Sequence, residues 1–418
     1  MQASGRSEAG VRARRFAAIG LLLLSTSQAS AQEQPRARPK YPGVRFGPFY
    51  LSLRVPFAAG VDSNVYNSPE GTSDQSASLT PTLQVVLPVT RRARITGTGG
   101  IVPQYFHREA SQRYTDAFGD VRGDLDVGPI TAFGGIGGGH YRQRFTLEID
   151  DRLLRHEKRD LVGATLHVGK RVTVSGSQTR VTATFDPDAT LDGIPVSTSL
   201  DRRTVTRRAE ISVPLTRKTS LSTFVDFVED RFLQRRSGLK PIVDSARYGA
   251  ALSFGELAFL TGTVAAGVRH FGAEQDVTPY DGPFLLVTLN SPFIFGTRLI
   301  LAANRDVTYS AIPSEEGNLR STYVNSLYRA DVVFELPLKL HGRVFGGFRE
   351  SRYLLPSEVE ATTAPRRDHG WIEGGELLRH FGRHVSLGGR VQRESRTSPL
   401  DGLSYDAMQY GLAGELSF

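Results

Sequence analysis

The sequence predicts an all-β protein, a single transmembrane antiparallel up-and-down β-barrel of about eighteen strands, with about sixteen as the alternative count. Three observations carry that expectation. From Gly47 onward the chain divides into stretches of about ten to eighteen residues in which apolar and polar side chains alternate, the period-two mark of a strand. Short turns and longer polar loops alternate between these stretches, as they do in hairpins that return to the two rims of a barrel. No apolar run approaches the ~18 residues of a membrane helix, and mean hydropathy is −0.24 with 39% hydrophobic residues. A membrane would therefore be crossed by strands.

The chain opens with an export signal. Arg12, Arg14 and Arg15 precede the short apolar core from Phe16 to Leu24, and Ala29-Ser30-Ala31 forms an A-x-A cleavage site, Ala29 and Ala31 being the small residues it requires. Residues 1–31 are thus expected to be a signal peptide. Residues 32–46 hold Pro35, Pro39 and Pro42, and are expected to form a periplasmic tail too rich in proline to pair in a sheet. The barrel is expected to occupy residues 47–418. Formal net charge is +8 and there is no Cys, so disulfides cannot hold the fold. Basic and acidic residues are interleaved with no Lys/Arg-rich block, which argues against nucleic acid as a partner.

Each predicted strand has one apolar face. Phe49, Leu51, Leu53, Val55 and Phe57 mark the first, followed by a loop over roughly 58–73. Leu79, Leu83, Val85 and Leu87 mark the second, and Ile95 to Tyr105 the third. The fourth sets Val121, Leu125 and Val127 against Asp116, Asp120, Arg122 and Asp124, a contrast suited to lipid on one side and water on the other. In the fifth, Tyr141, Phe145 and Leu147 are expected to oppose Arg142, Arg144 and Glu148, with a charged loop over 150–158. The seventh loses phase between Val174 and Val181, which suggests a bulge or a bend at Gly176. The remaining stretches repeat the arrangement, so both termini are expected in the periplasm and the long loops outside.

The last strand alternates up to the final residue, with Tyr410, Leu412, Leu416 and Phe418 on one face. It resembles the closing strand of bacterial outer-membrane barrels, which implies that these residues are an assembly signal read by the barrel-assembly machinery. Near the start, Asp62-Ser63-Asn64-Val65-Tyr66 and Leu79-Thr80-Pro81-Thr82-Leu83 resemble the D-x-N-V-[FY] and L-x-P-x-L motifs of the β-barrel porin type 2 family. That resemblance implies a location in the outer membrane of a Gram-negative cell, in contact with its lipid and lipopolysaccharide. It also implies a porin-like channel, with a link in some members to exopolysaccharide export and hence to export components as partners.

No catalytic or metal-binding constellation stands out. His380 and His384 flank Gly382, which breaks the helix that an i, i+4 metal pair needs, and the glycine run 134–139 lacks the Lys-Ser/Thr of a phosphate loop. No enzyme activity, cofactor or metal is expected. The polar faces instead offer a pore lining: Arg54, Arg94, Asp120, Arg122, Asp124, Arg142, Arg144, Glu148, Arg208, Glu210, Arg298, Arg329, Asp331, Glu335, Arg343, Arg349 and Arg390, with Asp226, Asp306 and Glu415 beside them. Such a lining can stiffen the wall through cross-strand ion pairs, and its excess of Arg would favour polar or anionic solutes. With loops this short, neither a globular plug nor a long constriction loop is expected. The function expected is therefore passive transport, the alternative being a structural or partner-binding barrel with an occluded lumen.

Overall fold

The computed structural model describes residues 43–144, 152–169, 171–191, 194–234, 242–255, 260–272, 277–310, 322–356, 365–400 and 402–418. Its strands are β1 (Phe49–Asp62), β2 (Asp74–Leu79 continued by Thr82–Pro88), β3 (Ala93–Phe106), β4 (Tyr114–Val127), β5 (Ile130–Gln143) and β6 (Leu153–Val168). Then come β7 (Val172–Phe185), β8 (Arg202–Pro214), β9 (Thr219–Phe232), β10 (Ile242–Phe254), β11 (Thr261–Phe271) and β12 (Tyr280–Asn290). The last are β13 (Thr297–Tyr309), β14 (Thr322–Leu336), β15 (Leu340–Pro356), β16 (Pro365–Phe381), β17 (Val385–Thr397) and β18 (Tyr405–Ser417). Antiparallel ladders join each strand to the next, and β1 pairs with β18, so the eighteen described strands form one closed barrel.

Alternation then assigns the faces. Ile136, Val162, Trp371 and Leu412 are 65%, 58%, 56% and 60% exposed and mark the outer face, whereas Asp226 and Asp331, of opposite parity, are 1% and 4% exposed. Connections at one rim are short. The tightest is Gly128-Pro129, where Gly128 has φ +61°, a conformation that costs any residue with a Cβ about 1–2 kcal/mol. The opposite rim carries the longer connections, so the two are called here the turn end and the loop end.

Several boundaries differ from the sequence reading. β1 runs on to Asp62, and β6 begins at Leu153, inside the segment expected to be a charged loop. Pro81, which has no N–H to give a ladder, interrupts β2 without shifting its phase, since Leu79 and Leu83 are both exposed on the outer face. β7 has no bulge at Gly176: its ladders with β6 and β8 run without a register shift. Instead Val181, Ala183 and Phe185 turn to the inner face, where Phe185 joins Leu153, Val196 and Leu200 in a buried apolar cluster. Part of the proline-rich tail also pairs, because Val44–Phe46 folds back on Phe49–Leu51. The signal segment, Ala29 and Ala31 lie outside the described residues.

The D-x-N-V-[FY] residues sit at the loop end of the seam between the first and last strands. Asp62 accepts the Gln409 side-chain amide (3.0 Å), Ser63 exchanges hydrogen bonds with the Met408 backbone, and Asn64 Nδ2 donates to the Ser68 and Asp406 carbonyls (2.7 and 3.2 Å). Tyr66 Oη reaches Glu109 Oε2 (2.5 Å), and Asp74 accepts the backbone N–H groups of Arg108 and Glu109. Burial pushes the Asp74 carboxyl up, but the N–H groups of Glu109, Arg108 and Gln75 outweigh it and hold that carboxyl below its ordinary value of 3.8. Its hold on the Arg108–Glu109 backbone is therefore complete above that value and lost only as pH falls through the lowered one. Asn64 is 2% exposed, so Asn64→Ala should cost about 2–3 kcal/mol by leaving buried partners unmet. The check is urea unfolding in detergent, followed by the gel mobility of the folded form; an unchanged midpoint would remove the latch role.

Candidate functional site: the lumen and its constriction

The inner wall is lined by charge held against the wall. On the turn-end half, Arg54 pairs with Glu415 (2.7 Å), Arg94 and Arg122 with Asp124 (3.1 and 2.8 Å), and Arg329 and Arg343 with Asp331 (3.1 and 2.6 Å). Arg159 reaches Asp120 (3.5 Å). Further round, Glu210, Arg208, Asp226, Arg247, Asp306 and Arg269 form one chain of ion pairs, with steps of 3.0, 3.8, 3.3, 3.1 and 3.7 Å, crossing from β8 to β13. The ion pairs between described residues each stay within one sector, and none joins β2–β7 to β9–β16.

Inward-facing glycines explain how such long side chains lie flat. Phe224, Gly249, Gly267 and Phe284 are consecutive register partners across β9 to β12. The two rings lean over the glycine pair until their centroids are 6.0 Å apart. A Cβ on Gly249 would lie 2.7 Å from the Phe284 ring, closer than packed carbons allow. Arg208 then stacks on Phe224, 4.0 Å from its centroid. Gly370 does the same for Arg349, which crosses it to reach Glu394. Within the glycine run of β5, Gly137 lies under the Asp120 carboxylate, which makes that run a close-packed strand.

One hairpin leaves the wall. The β12–β13 ladder stops at Leu285↔Arg305, yet β13 stays paired with β14 as far as Tyr309↔Thr322, and β11 with β12 as far as Phe271↔Tyr280. Below this point the outer-face residues Leu299 and Tyr328 are 37% and 38% exposed; above it Val307, Tyr309, Val324 and Ser326, of the same parity, are 6%, 5%, 2% and 1% exposed. Val307 and Tyr309 are buried because they pack against inner-face residues of other strands, sharing a cluster with Phe232, Val243 and Phe271. The Tyr309 ring lies 5.1 Å from Phe232 and 5.2 Å from Phe271, its hydroxyl donates to Asp230 Oδ2 (3.2 Å), and Arg202 covers it from β8. A former outer face can touch the inner walls of β8–β11 only from inside the barrel, so 305–309 and 322–326 fold into the lumen. Asp306 rides on this hairpin and supplies the carboxylate between Arg247 and Arg269. The sequence reading considered only a plug or a long loop as a constriction and did not foresee one made by strands. The narrowing comes from two strands, and no long loop is needed for it.

Alternation or contact puts Arg54, Arg94, Asp120, Arg122, Asp124, Arg208, Glu210, Arg298, Arg329, Asp331, Glu335, Arg343, Arg349 and Arg390 on the inner face, together with Asp226, Asp306 and Glu415. Arg142 is a correction. It shares parity with the exposed Ile136, because Tyr141 takes the inner position where Arg155 faces its ring, and Arg142 Nε donates to the Arg152 carbonyl (3.4 Å). The glycines before it hide the phase of β5 in the sequence. Arg144 lies beyond that strand and reaches the Val65 carbonyl; Glu148 lies outside the described residues. The sequence reading missed Arg247 and Arg269, although each stands next to an outward residue, Tyr248 and Val268, and parity alone would have found them. It also missed the buried Arg366–Asp368–Arg396 group, with contacts of 2.5 and 2.9 Å at the loop end of β16 and β17. Tyr410, Leu412 and Phe418 are exposed on the outer face, and the ends of β18 and β1 are joined through Phe418 and Leu53. Among the described residues no group of three or more His, Asp or Glu is placed to hold a metal.

A family model described as "Putative beta-barrel porin 2" matches residues 38–414. Among solved structures, OpdK of Pseudomonas aeruginosa is similar at 9% identity and TM-score 0.43, with 88% of this chain and 99% of that one covered. OccAB3 of Acinetobacter baumannii is similar at 10% identity and TM-score 0.47, with 89% and 100% covered. The siderophore receptor PirA of Acinetobacter baumannii is similar at 8% identity and TM-score 0.42, with 88% and 80% covered. No curated protein matches.

The hairpin's seat gives a direct test. Tyr309→Ala removes two ring contacts and a hydrogen bond, a loss of about 3–4 kcal/mol in a buried site. Hydrogen exchange should then accelerate in 305–309 and 322–326 while β3–β7 stay protected. Equal exchange in both proteins would mean that Tyr309 does not hold the hairpin.

Proposed function

The chain belongs to the porin family whose model it matches, which makes it a β-barrel of the Gram-negative outer membrane, and from that premise we propose that it is a passive channel for polar and anionic small solutes. One observation carries this reading: the ion pairs of the inner wall form sector by sector, with none between described residues bridging β2–β7 to β9–β16. The bore of a barrel of this strand number can therefore hold water. The inward hairpin stands on the β8–β15 side and narrows the path next to Arg247 and Asp306, so a passing solute meets one guanidinium group and one carboxylate, with Arg269 buried behind them. In this reading the turn end and both termini lie in the periplasm and the loop end outside, as in barrels whose short turns are periplasmic. The link to exopolysaccharide export rests on the family resemblance, and the rival reading is an occluded barrel that serves as a structural or partner-binding element.

Two experiments separate these readings. Refolded protein in planar bilayers should show discrete open steps, and Asp306→Asn, which leaves the Arg247/Arg269 rung with less counter-charge, should raise the anion-to-cation permeability ratio about sevenfold, since a change of ~1 kT in local potential favours anions and disfavours cations by about threefold each. A closed baseline at every voltage would reject the channel and favour the occluded barrel. For orientation, Glu70→Cys should react with a membrane-impermeant maleimide on intact cells, and Arg383→Cys should not. The reverse pattern would invert the assignment of the two rims.

A further inference from the structure

The outer face carries a cross-strand arginine pair with no carboxylate of the described residues within ion-pair distance. Arg203 on β8 and Arg231 on β9 are direct register partners, both exposed, and both share parity with the outward Ile211 and Phe227. Lys158 on β6 lies in the same row, with Thr182 of β7 between it and Arg203. Among the described residues no carboxylate lies within ion-pair distance of Arg203 or Arg231; Glu229, one rung below, is taken by Arg207 at 3.8 Å. Like charges directly opposite each other destabilise a sheet. The lumen shows how this chain answers the same problem inside: Arg247 and Arg269 are register partners too, and Asp306 is brought between them. Outside, no described carboxylate is brought between Arg203 and Arg231, which leaves room for an anion from another molecule.

Height points to which one. An apolar band of ~25 Å is spanned by ~10 residues of tilted strand. Arg203 and Arg231 lie further than that from the turn ends of their strands; directly below them runs the mixed-charge row Asp160, Arg180, Glu229 and Asp244, and beneath it Ile211, Val213, Leu221 and Phe227 are exposed. At the same level the outer faces of β1–β4 carry Val61, Ala77, Tyr105 and Ala117, so the basic row belongs to one sector.

We propose that the Lys158–Arg203–Arg231 row is a docking surface for a phosphorylated lipid of the outer leaflet, the two guanidinium groups taking its headgroup phosphate while its acyl chains lie on the apolar stripe below. The inference rests on the orientation given above. Full-length protein in nanodiscs of phosphatidylcholine is doped with bis-phosphorylated lipid A or with its dephosphorylated form, and retained lipid is counted by native mass spectrometry. Wild type should retain the phosphorylated form selectively, and Arg203→Glu with Arg231→Glu should weaken that retention about thirtyfold, from ~1 kcal/mol per basic group at a charged bilayer surface. Arg379→Glu, on the outer face near the turn end, should leave it unchanged. Equal retention of the two lipid forms by wild type, a comparison that needs no variant to fold, would overturn the proposal, as would equal retention by the double variant. If maleimide labelling places Glu70 in the periplasm, the orientation fails and takes this site with it; if labelling holds and lipid A shows no preference, the site alone fails.

Discussion

In hydrocarbon an unpaired backbone N–H or C=O costs several kcal/mol, so a sheet that crosses a membrane has to close. Here the closing pair is β1 with β18, and the first of the two motifs that carry the family resemblance, Asp62 to Tyr66, lies at that seam. Asp62, Ser63 and Asn64 fasten the loop end of β1 to residues 406–409 of the last strand. At the other rim Leu53 and Phe418 exchange backbone hydrogen bonds of 3.1 and 2.8 Å. A motif that reads in the sequence as a polar turn is, in the fold, part of the clasp.

The same constraint makes the inward hairpin notable, since β13 leaves a neighbour whose edge must then be met in another way. Along Tyr280–Phe284 the edge contains Pro283, which has no N–H to leave unmet, and its carbonyl accepts the Tyr280 hydroxyl at 2.9 Å. The strand that leaves gains a buried apolar seat against Phe232, Val243 and Phe271. It also brings Asp306 to the Arg247/Arg269 rung, where two cations on adjacent strands would otherwise repel. Apolar burial and charge neutralisation both hold the hairpin inside.

The period-two pattern made the architecture legible, because one apolar face per strand and alternating connection lengths leave few other ways to satisfy both lipid and water. It also marked most inward charges by parity. It failed where side chains do not report the face: the glycines of β5 erased the phase before Arg142, and in β7 the apolar residues changed face without any change in the backbone. The hairpin was not legible for a related reason. Val307, Tyr309 and Val324 are what an outer face facing lipid would carry, and only their partners, which lie several strands away, show that this face has turned inward.

The chain has no Cys, so pairs of engineered thiols report distance cleanly. With Val243→Cys and Val307→Cys introduced together, near-isosteric changes that leave the Tyr309 seat intact, a short bifunctional thiol reagent should join β10 to β13 in folded protein as readily as it joins the seam neighbours Val61→Cys and Tyr410→Cys. If the seam pair links while 243 and 307 stay apart, β13 stands in the wall along its full length, and the constriction described here does not exist.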